Sequence, residues 1–131
     1  MATDSVNSLI VVAFRGSVNI QNFITDIDFP LMPIDICTGC NGETGFWTSW
    51  TEARDEILGA VHSAAAANPS YQIVSVGHSL GGAIAAFAAA ELRNLGYIVD
   101  MVHPTFAFVP AISQVPNSKS RLHSANLASA M

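Results

Sequence analysis

The sequence predicts an α/β fold with a mostly parallel sheet and flanking helices. Two short apolar stretches rich in β-branched residues, Leu9–Phe14 and residues 72–76, are typical of buried strands. Residues 97–102 form a third stretch of this kind. Segments with apolar residues at helical spacing follow the first two strands. Strands that alternate with helices in this way favour a parallel sheet with right-handed crossovers.

The composition is that of one globular domain. Of the 131 residues, 50% are hydrophobic and only 11% are charged, which excludes a disordered chain. The formal net charge is -5 and the five Lys and Arg residues are spread along the chain, so nothing indicates nucleic-acid binding. No apolar run approaches the roughly 18 residues of a membrane span, so we expect no transmembrane segment. The N-terminus shows no basic and apolar leader typical of a signal peptide.

The first predicted strand, Leu9–Phe14, is continuously apolar, so we expect it to be central and buried on both faces. Residues 18–28 follow, with Ile20, Phe23, Ile24 and Ile27 at the spacing of an amphipathic helix. Two interpretations fit this period equally well. The segment is either a surface helix packed on the core or a mobile flap whose apolar face can turn outward.

Cys37 and Cys40 form a C-x-x-C pair after an extended, proline-containing stretch. A zinc site needs two further ligands, and the sequence has no second cysteine pair. A redox motif favours a first cysteine at a helix N-terminus, whereas residues 41–43 (Asn-Gly-Glu) indicate a turn. We therefore prefer a local disulfide, which implies an oxidising compartment, and keep the redox interpretation as an alternative.

Residues 46–67 are predicted to form a long helix that Asn68 and Pro69 end. Its apolar stripe includes two aromatic residues and a run of small and aliphatic ones: Phe46, Trp50, Ala53, Ile57, Ala60, Val61 and Ala64. His62 lies beside this stripe, and we interpret it as a partly exposed structural residue rather than a catalytic base.

The most informative stretch is residues 77–81, Gly-His-Ser-Leu-Gly, between a predicted strand and a predicted helix that ends near Leu95 before Gly96. A G-x-S-x-G turn in this context is a nucleophile elbow. It forces Ser79 into a strained backbone conformation and raises its hydroxyl above the sheet. The Leu80 amide and the helix N-terminus then point towards the same place, where negative charge would develop.

These motifs together resemble the class 3 lipases, the secreted triacylglycerol lipases and feruloyl esterases of filamentous fungi. The matching stretch runs from about residue 9 to residue 101. Its motifs, in chain order, are residues 10–17 (Ile-Val-Val-Ala-Phe-Arg-Gly-Ser), residues 20–24, residues 36–40 (Ile-Cys-Thr-Gly-Cys), Gly45 with Phe46, and residues 76–83 (Val-Gly-His-Ser-Leu-Gly-Gly-Ala).

The resemblance implies a truncated α/β-hydrolase fold and an ester hydrolase that acts on lipid or other esters at a lipid–water interface, without a cofactor. Ser79 matches the nucleophile, and Ser17 and the Leu80 amide match the oxyanion donors. Residues 18–26, with Ile20, Phe23 and Ile24, fall where the family has its lid. The resemblance also implies a short-range disulfide between Cys37 and Cys40, an extracellular location, and a non-catalytic role for His78.

The sequence departs from the family pattern after Met101. A serine hydrolase of this fold needs an acid and then a histidine base after the nucleophile. Asp100 lies at the start of a predicted strand, and neither His103 nor His123 has a suitable spacing or order. We therefore expect residues 1–102 to be a partial lipase domain and residues 103–131 an unassigned tail. A truncated or misread gene model that lacks the triad Asp and His would explain this.

Three functional hypotheses follow from the sequence. The first is a serine ester hydrolase. The second is a non-catalytic lipase remnant that binds an apolar ligand or a lipid surface through Ile20, Phe23 and Ile24. The third, which is the weakest, is a thiol redox protein that uses Cys37 and Cys40.

Overall fold

The computed structural model describes residues 1–16, 30–102 and 112–113. These residues form seven strands and two helices. The strands are β1 (Ala2–Asp4), β2 (Leu9–Phe14), β3 (Leu31–Pro33), β4 (Asn41–Glu43), β5 (Gln72–Gly77), β6 (Val99–Val102) and β7 (Ile112–Ser113), and the helices are α1 (Thr44–Ala67) and α2 (Leu80–Asn94).

The main sheet has the strand order β1-β2-β5-β6. β5 is parallel to both β2 and β6, whereas β1 pairs with β2 in the antiparallel direction. The α/β fold with a mostly parallel sheet is thus confirmed. The register places Phe14 beside Gly77, so the carboxyl ends of β2 and β5 meet at one edge of the sheet. Ligand and catalytic sites of parallel sheets form at this edge.

Both described helices pack on the same face of the main sheet. This face is buried, with side chains from three strands and both helices: Ile10, Val12, Ile73, Val99, Val61 and Leu92. On the opposite face Ala13 is exposed and Val11 is half-buried. The expectation that β2 is buried on both faces is therefore wrong for the described residues, because no described helix covers that second face.

A second, antiparallel sheet has the order β3-β4-β7 and was missed by the sequence analysis. Leu31 pairs with Glu43, and Asn41 pairs with Ser113. Residues 41–43, expected to form a turn, instead form β4 and lead directly into α1. Strands of two or three residues carry no period, so only their pairing reveals them.

The helix ends have clear physical causes. The carboxylate of Glu43 accepts hydrogen bonds from the backbone N–H of Gly45 (2.8 Å) and of Phe46 (2.7 Å), so α1 begins at Thr44, two residues before the predicted start. At the end of α2, Gly96 has a φ of 94° and the Tyr97 N–H donates to the Leu92 carbonyl at 3.1 Å. This is a Schellman C-cap, as the glycine predicted. Neither described helix has the length and apolarity needed to cross a membrane.

Candidate active site

Ser79 lies between β5 and α2 with a φ of 56° and a ψ of -125°. A positive φ is strained for a residue with a Cβ, and surrounding contacts must hold the chain there. Ser79 is the N-cap of α2, but its side chain accepts no hydrogen bond from the helix. The hydroxyl of this half-buried residue is therefore not used for capping, and it remains available for chemistry.

The two glycines that flank Ser79 are required by close backbone contacts. A Cβ at Gly77 would lie 2.1 Å from the Gly81 carbonyl oxygen. A Cβ at Gly81 would lie 2.3 Å from the Phe14 carbonyl oxygen. Both distances are far below van der Waals contact, so α2 can start this close to the sheet only with glycine at both positions.

Gly16 brings the end of β2 against the turn at Ser79. A Cβ at Gly16 would lie 2.5 Å from the His78 carbonyl oxygen and 3.6 Å from the Ser79 Cβ. The structure therefore places the backbone that follows β2 directly beside Ser79. Ser17, the next residue and a predicted oxyanion donor, lies outside the described residues, as do Ile20, Phe23 and Ile24 of the predicted lid.

Among the described residues, the first turn of α2 has one amide near Ser79 without a backbone acceptor. The Gly81 N–H donates to the His78 carbonyl (3.0 Å), and the N–H groups of Gly82 and Ala83 donate to the Ser79 carbonyl (2.8 and 3.3 Å). The Leu80 N–H has no backbone acceptor within the described part of the chain. This amide and the positive end of the helix dipole can therefore bind an anion or a developing oxyanion.

His62 and Asp100 do not meet Ser79 as a base or an acid would. His62 lies on α1 and its Nδ1 is 2.9 Å from the Tyr97 hydroxyl, in an exposed contact. The Asp100 carboxylate accepts a hydrogen bond from the Gln72 side chain, near the amino end of β5. His103 and His123 lie outside the described residues. Within the ranges described here, no group of His, Cys, Asp and Glu could hold a metal ion.

A cavity of about 630 Å³ opens at the amino end of the parallel strands, with Tyr71, Gln72, Tyr97 and Ile98 in its lining. The length of β5, ~20 Å for six extended residues, separates this end of the sheet from Ser79. The cavity is therefore not part of the site at Ser79. A strained serine and a helix N-terminal amide without a backbone acceptor among the described residues meet at the carboxyl end of β5, so we place the candidate site there.

A polar cluster, buried at Trp50 and Glu91, joins the two helices. Trp50 is fully buried, and its Nε1 donates to the Glu91 carboxylate at 2.8 Å. The Arg54 guanidinium pairs with Glu91 and also with Asp35, the latter at 3.3 Å. This cluster was not predicted from the sequence. The sequence feature that could have indicated it is Glu91, a charged residue on an otherwise apolar helix face, because a buried charge requires a partner.

Cys37 and Cys40 form a disulfide, as preferred from the sequence. Their Cα atoms are 5.3 Å apart, within the usual range for such a bond. The disulfide loop contacts both helices, because the Asn94 side chain donates to the Ile36 carbonyl (2.6 Å) and Arg54 pairs with Asp35. The disulfide therefore belongs to a structural loop that is distinct from the turn at Ser79.

The fold and this strained turn define a hydrolase-like α/β protein, and comparison with known proteins gives the family. Residues 11–116 match the model of the family described as Lipase (class 3). This match covers most of the chain and extends beyond residue 102, where the sequence analysis placed the end of the lipase domain. The chain belongs to the class 3 lipase family.

Similar proteins come from filamentous fungi. The chain is 45% identical over 97 residues to the secreted mono- and diacylglycerol lipase A of Penicillium cyclopium, a match over 74% of this chain and 32% of that protein. It is 45% identical over 101 residues to the secreted mono- and diacylglycerol lipase 1 of Fusarium solani, covering 77% of this chain and 30% of the relative. The chain thus spans about a third of the length of these curated relatives.

Solved lipase structures have the same fold. The mono- and diacylglycerol lipase from Aspergillus oryzae superposes with a TM-score of 0.68 and 47% identity, covering 74% of this chain and 36% of that one. The Rhizomucor miehei triacylglyceride lipase superposes with a TM-score of 0.72 and 30% identity, covering 76% and 40%. These likenesses confirm the α/β-hydrolase fold that the motifs implied.

Proposed function

We propose that this chain carries the nucleophile of a serine ester hydrolase that acts on acylglycerols. The observation that carries the proposal is the conformation of Ser79, with its φ of 56° at the crest of a strand-to-helix turn. A Cβ at Gly77, Gly81 or Gly16 would clash with the neighbouring backbone. Glycine at these positions therefore allows the close packing that holds Ser79 in its strained conformation. Strained residues of this kind cluster where their geometry serves catalysis.

In this proposal the Ser79 hydroxyl attacks the ester carbonyl carbon and forms a tetrahedral intermediate. The Leu80 N–H and Ser17 donate hydrogen bonds to its oxyanion. A base takes the Ser79 proton during the attack and returns it to the alcohol, which leaves as the C–O bond breaks and an acyl-enzyme forms. Water, deprotonated by the same base, then hydrolyses the acyl-enzyme and regenerates the Ser79 hydroxyl. The Leu80 amide supports this role, since it is free of backbone partners among the described residues and lies at the helix N-terminus. One such donor contributes about 2.7 to 4 kcal/mol to transition-state stabilisation.

We further propose that these 131 residues do not provide the base that takes the Ser79 proton or the acid that orients it. The exposed contact of His62 with Tyr97 and the pairing of Asp100 with Gln72, both at the other end of the strands, support this. Loss of the base lowers kcat by on the order of 10⁴ to 10⁶. Residual rate from the oxyanion donors would remain.

The substrate class follows from the relatives, which are named as mono- and diacylglycerol lipases and as secreted. We propose mono- and diacylglycerols at a lipid–water interface as substrates, with Ile20, Phe23 and Ile24 on the lid. An extracellular location agrees with the Cys37–Cys40 disulfide, because such bonds persist in oxidising compartments.

The test is labelling of the chain by a fluorophosphonate, with and without added imidazole as a soluble base. We expect slow labelling that imidazole accelerates and that Ser79→Ala abolishes. Ser70→Ala is the matched control, since Ser70 is an exposed serine at the other end of β5, and it should label like the parent chain.

Two other outcomes would change the proposal. Rapid labelling without imidazole would show that a base is present in the chain and would refute its proposed absence. No Ser79-dependent labelling under either condition would refute the hydrolase proposal. Binding of diacylglycerol vesicles without any labelling would favour the lipase remnant instead.

A further inference from the structure

Trp50 contacts the two elements that form the candidate site. Its Nε1 donates to Glu91 on α2 at 2.8 Å, and its ring packs edge-on against Phe14 at the end of β2, with centroids 6.1 Å apart. Trp50 is fully buried, so these two contacts replace any to water. One side chain on α1 therefore touches both α2 and the last residue of β2.

Phe14 is adjacent to the turn at Ser79. Its carbonyl oxygen lies 2.3 Å from the position that a Cβ on Gly81 would occupy, so the end of β2 is in close contact with the first turn of α2. Two residues later, Gly16 approaches His78 and Ser79 in the same way. The position of Phe14 is therefore linked through one intervening residue to the Gly16 backbone beside Ser79.

Glu91 lies far from this contact along α2. It follows Gly81 by ten residues, about 15 Å of helix. Trp50 therefore connects the second half of α2 to the end of β2, while Gly81 connects the first turn of α2 to the same strand end. Helix α2 is thus joined to the end of β2 at two separated points, at its first turn directly and in its second half through Trp50.

The carboxylate of Glu91 is buried and has two hydrogen-bond donors. Glu91 is 7% exposed, and Arg54 and Trp50 each donate to one of its carboxylate oxygens. Desolvation works against the charge of Arg54, but the carboxylates of Glu91 and then Asp35 outweigh this, so the pKa of Arg54 is raised. The pairing of Arg54 with one carboxylate oxygen leaves the other oriented as the acceptor for the Trp50 Nε1.

We propose that Trp50, oriented by Glu91, is a positioning residue that fixes the end of β2 against the start of α2 and so sets the approach of the Gly16 backbone to Ser79 and the Leu80 amide. The effect of Trp50 on catalysis rests on the proposed function, whereas its effect on the contact between β2 and α2 does not. Trp50 touches no substrate in this proposal and acts only through Phe14 and α2.

The test compares Trp50→Phe with Trp47→Phe. Trp47 is a matched control, because it is a buried tryptophan of α1 that packs edge-on against Phe87 of α2 at 5.2 Å. Both changes remove part of a buried ring, but only Trp50→Phe removes the hydrogen bond to Glu91 and alters the packing on Phe14. The readouts are hydrogen–deuterium exchange of residues 11–16 and 77–83, and the imidazole-assisted fluorophosphonate labelling rate.

We expect Trp50→Phe to speed exchange in both segments roughly tenfold relative to the middle of α1. The maximal labelling rate should fall about 10- to 100-fold, with little change in probe affinity, because a small misplacement of reacting groups is costly. Trp47→Phe should lower stability without either local effect. Equal effects of the two variants, or unchanged exchange in Trp50→Phe, would overturn the proposal.

Glu91 provides a second pair of variants. Glu91→Gln keeps an oxygen that accepts from Trp50, so its labelling rate should stay within about threefold of the parent rate. Glu91→Leu removes the acceptor at similar volume and should reproduce the Trp50→Phe effects. If the labelling rate of Glu91→Gln falls as far as that of Glu91→Leu, the charge of Glu91 matters rather than the orientation of Trp50, and the proposal is wrong. Faster exchange in Trp50→Phe with no labelling of any variant would instead refute the hydrolase proposal alone.

Discussion

Ser79 has a backbone conformation that serine rarely adopts, and its glycine neighbours make that possible. Around it the chain is so close-packed that three positions, Gly16, Gly77 and Gly81, have no room for a methyl group. Residues of this kind are typical of functional turns, because a tight approach of backbones sets the direction of one side chain. The same chain has a glycine without such a constraint, Gly59 on the exposed side of α1.

We therefore expect opposite effects from two Gly-to-Ala changes. Gly77→Ala should lower the free energy of unfolding by more than about 3 kcal/mol, because its Cβ would overlap the Gly81 carbonyl. Gly59→Ala should raise the free energy of unfolding by about 0.5 to 1 kcal/mol, since alanine favours a helix interior. Urea denaturation followed by circular dichroism measures both. A tolerated Gly77→Ala would contradict the close approach.

At the scale of elements, the residue that caps the start of helix α1 belongs to a strand. Glu43 ends β4 and also caps α1 with two hydrogen bonds from backbone N–H groups. Glutamate is not a usual N-cap residue, so the local sequence did not reveal this helix start. The pairing of β4 with β3 and β7 holds Glu43 where its carboxylate can reach those amides.

Glu43→Ala should therefore lower the free energy of unfolding by about 1 to 2 kcal/mol, the usual cost of losing an N-cap. Glu52→Ala, on the exposed side of the same helix, is the control and should change the free energy by less than about 0.5 kcal/mol. Both values come from urea denaturation. Similar losses in the two variants would show that the cap contributes little.

At the scale of the whole molecule, the loop with the Cys37–Cys40 disulfide connects parts that are distant in sequence. It contacts the end of α2 through Asn94 and α1 through Arg54, and Cys40 is buried in the core with Ile34 and Phe87. Because the closed loop is short, the entropic stabilisation is modest. Next to the disulfide, Asp35 and Ile36 contact the two helices.

Replacing both cysteines, as Cys37→Ser with Cys40→Ser, should lower the free energy of unfolding by about 2 kcal/mol. Dithiothreitol should lower the stability of the parent chain by a similar amount and leave the double variant unchanged. Thermal denaturation with and without reductant measures this. An unchanged midpoint for the parent chain in reductant would contradict a stabilising role.

The sequence by itself determined the order of the long elements, the strained turn around Ser79 and the preferred disulfide. Each of these depends on local chemistry: apolar period, glycine at close approaches, or the spacing of two cysteines. The lid at residues 18–26 and the role of Ser17 remain predictions, since they lie outside the described residues.

Only the tertiary structure decided the features that depend on pairing between distant residues. The short strands β1, β3, β4 and β7 exist because partners complete their hydrogen bonds, and three or fewer residues show no period of their own. The half-exposed second face of β2 reflects where the two described helices pack, which an apolar run cannot show. The contacts of Trp50 with Phe14 and Glu91 join residues 36 and 41 positions apart, and the fold alone brings them together.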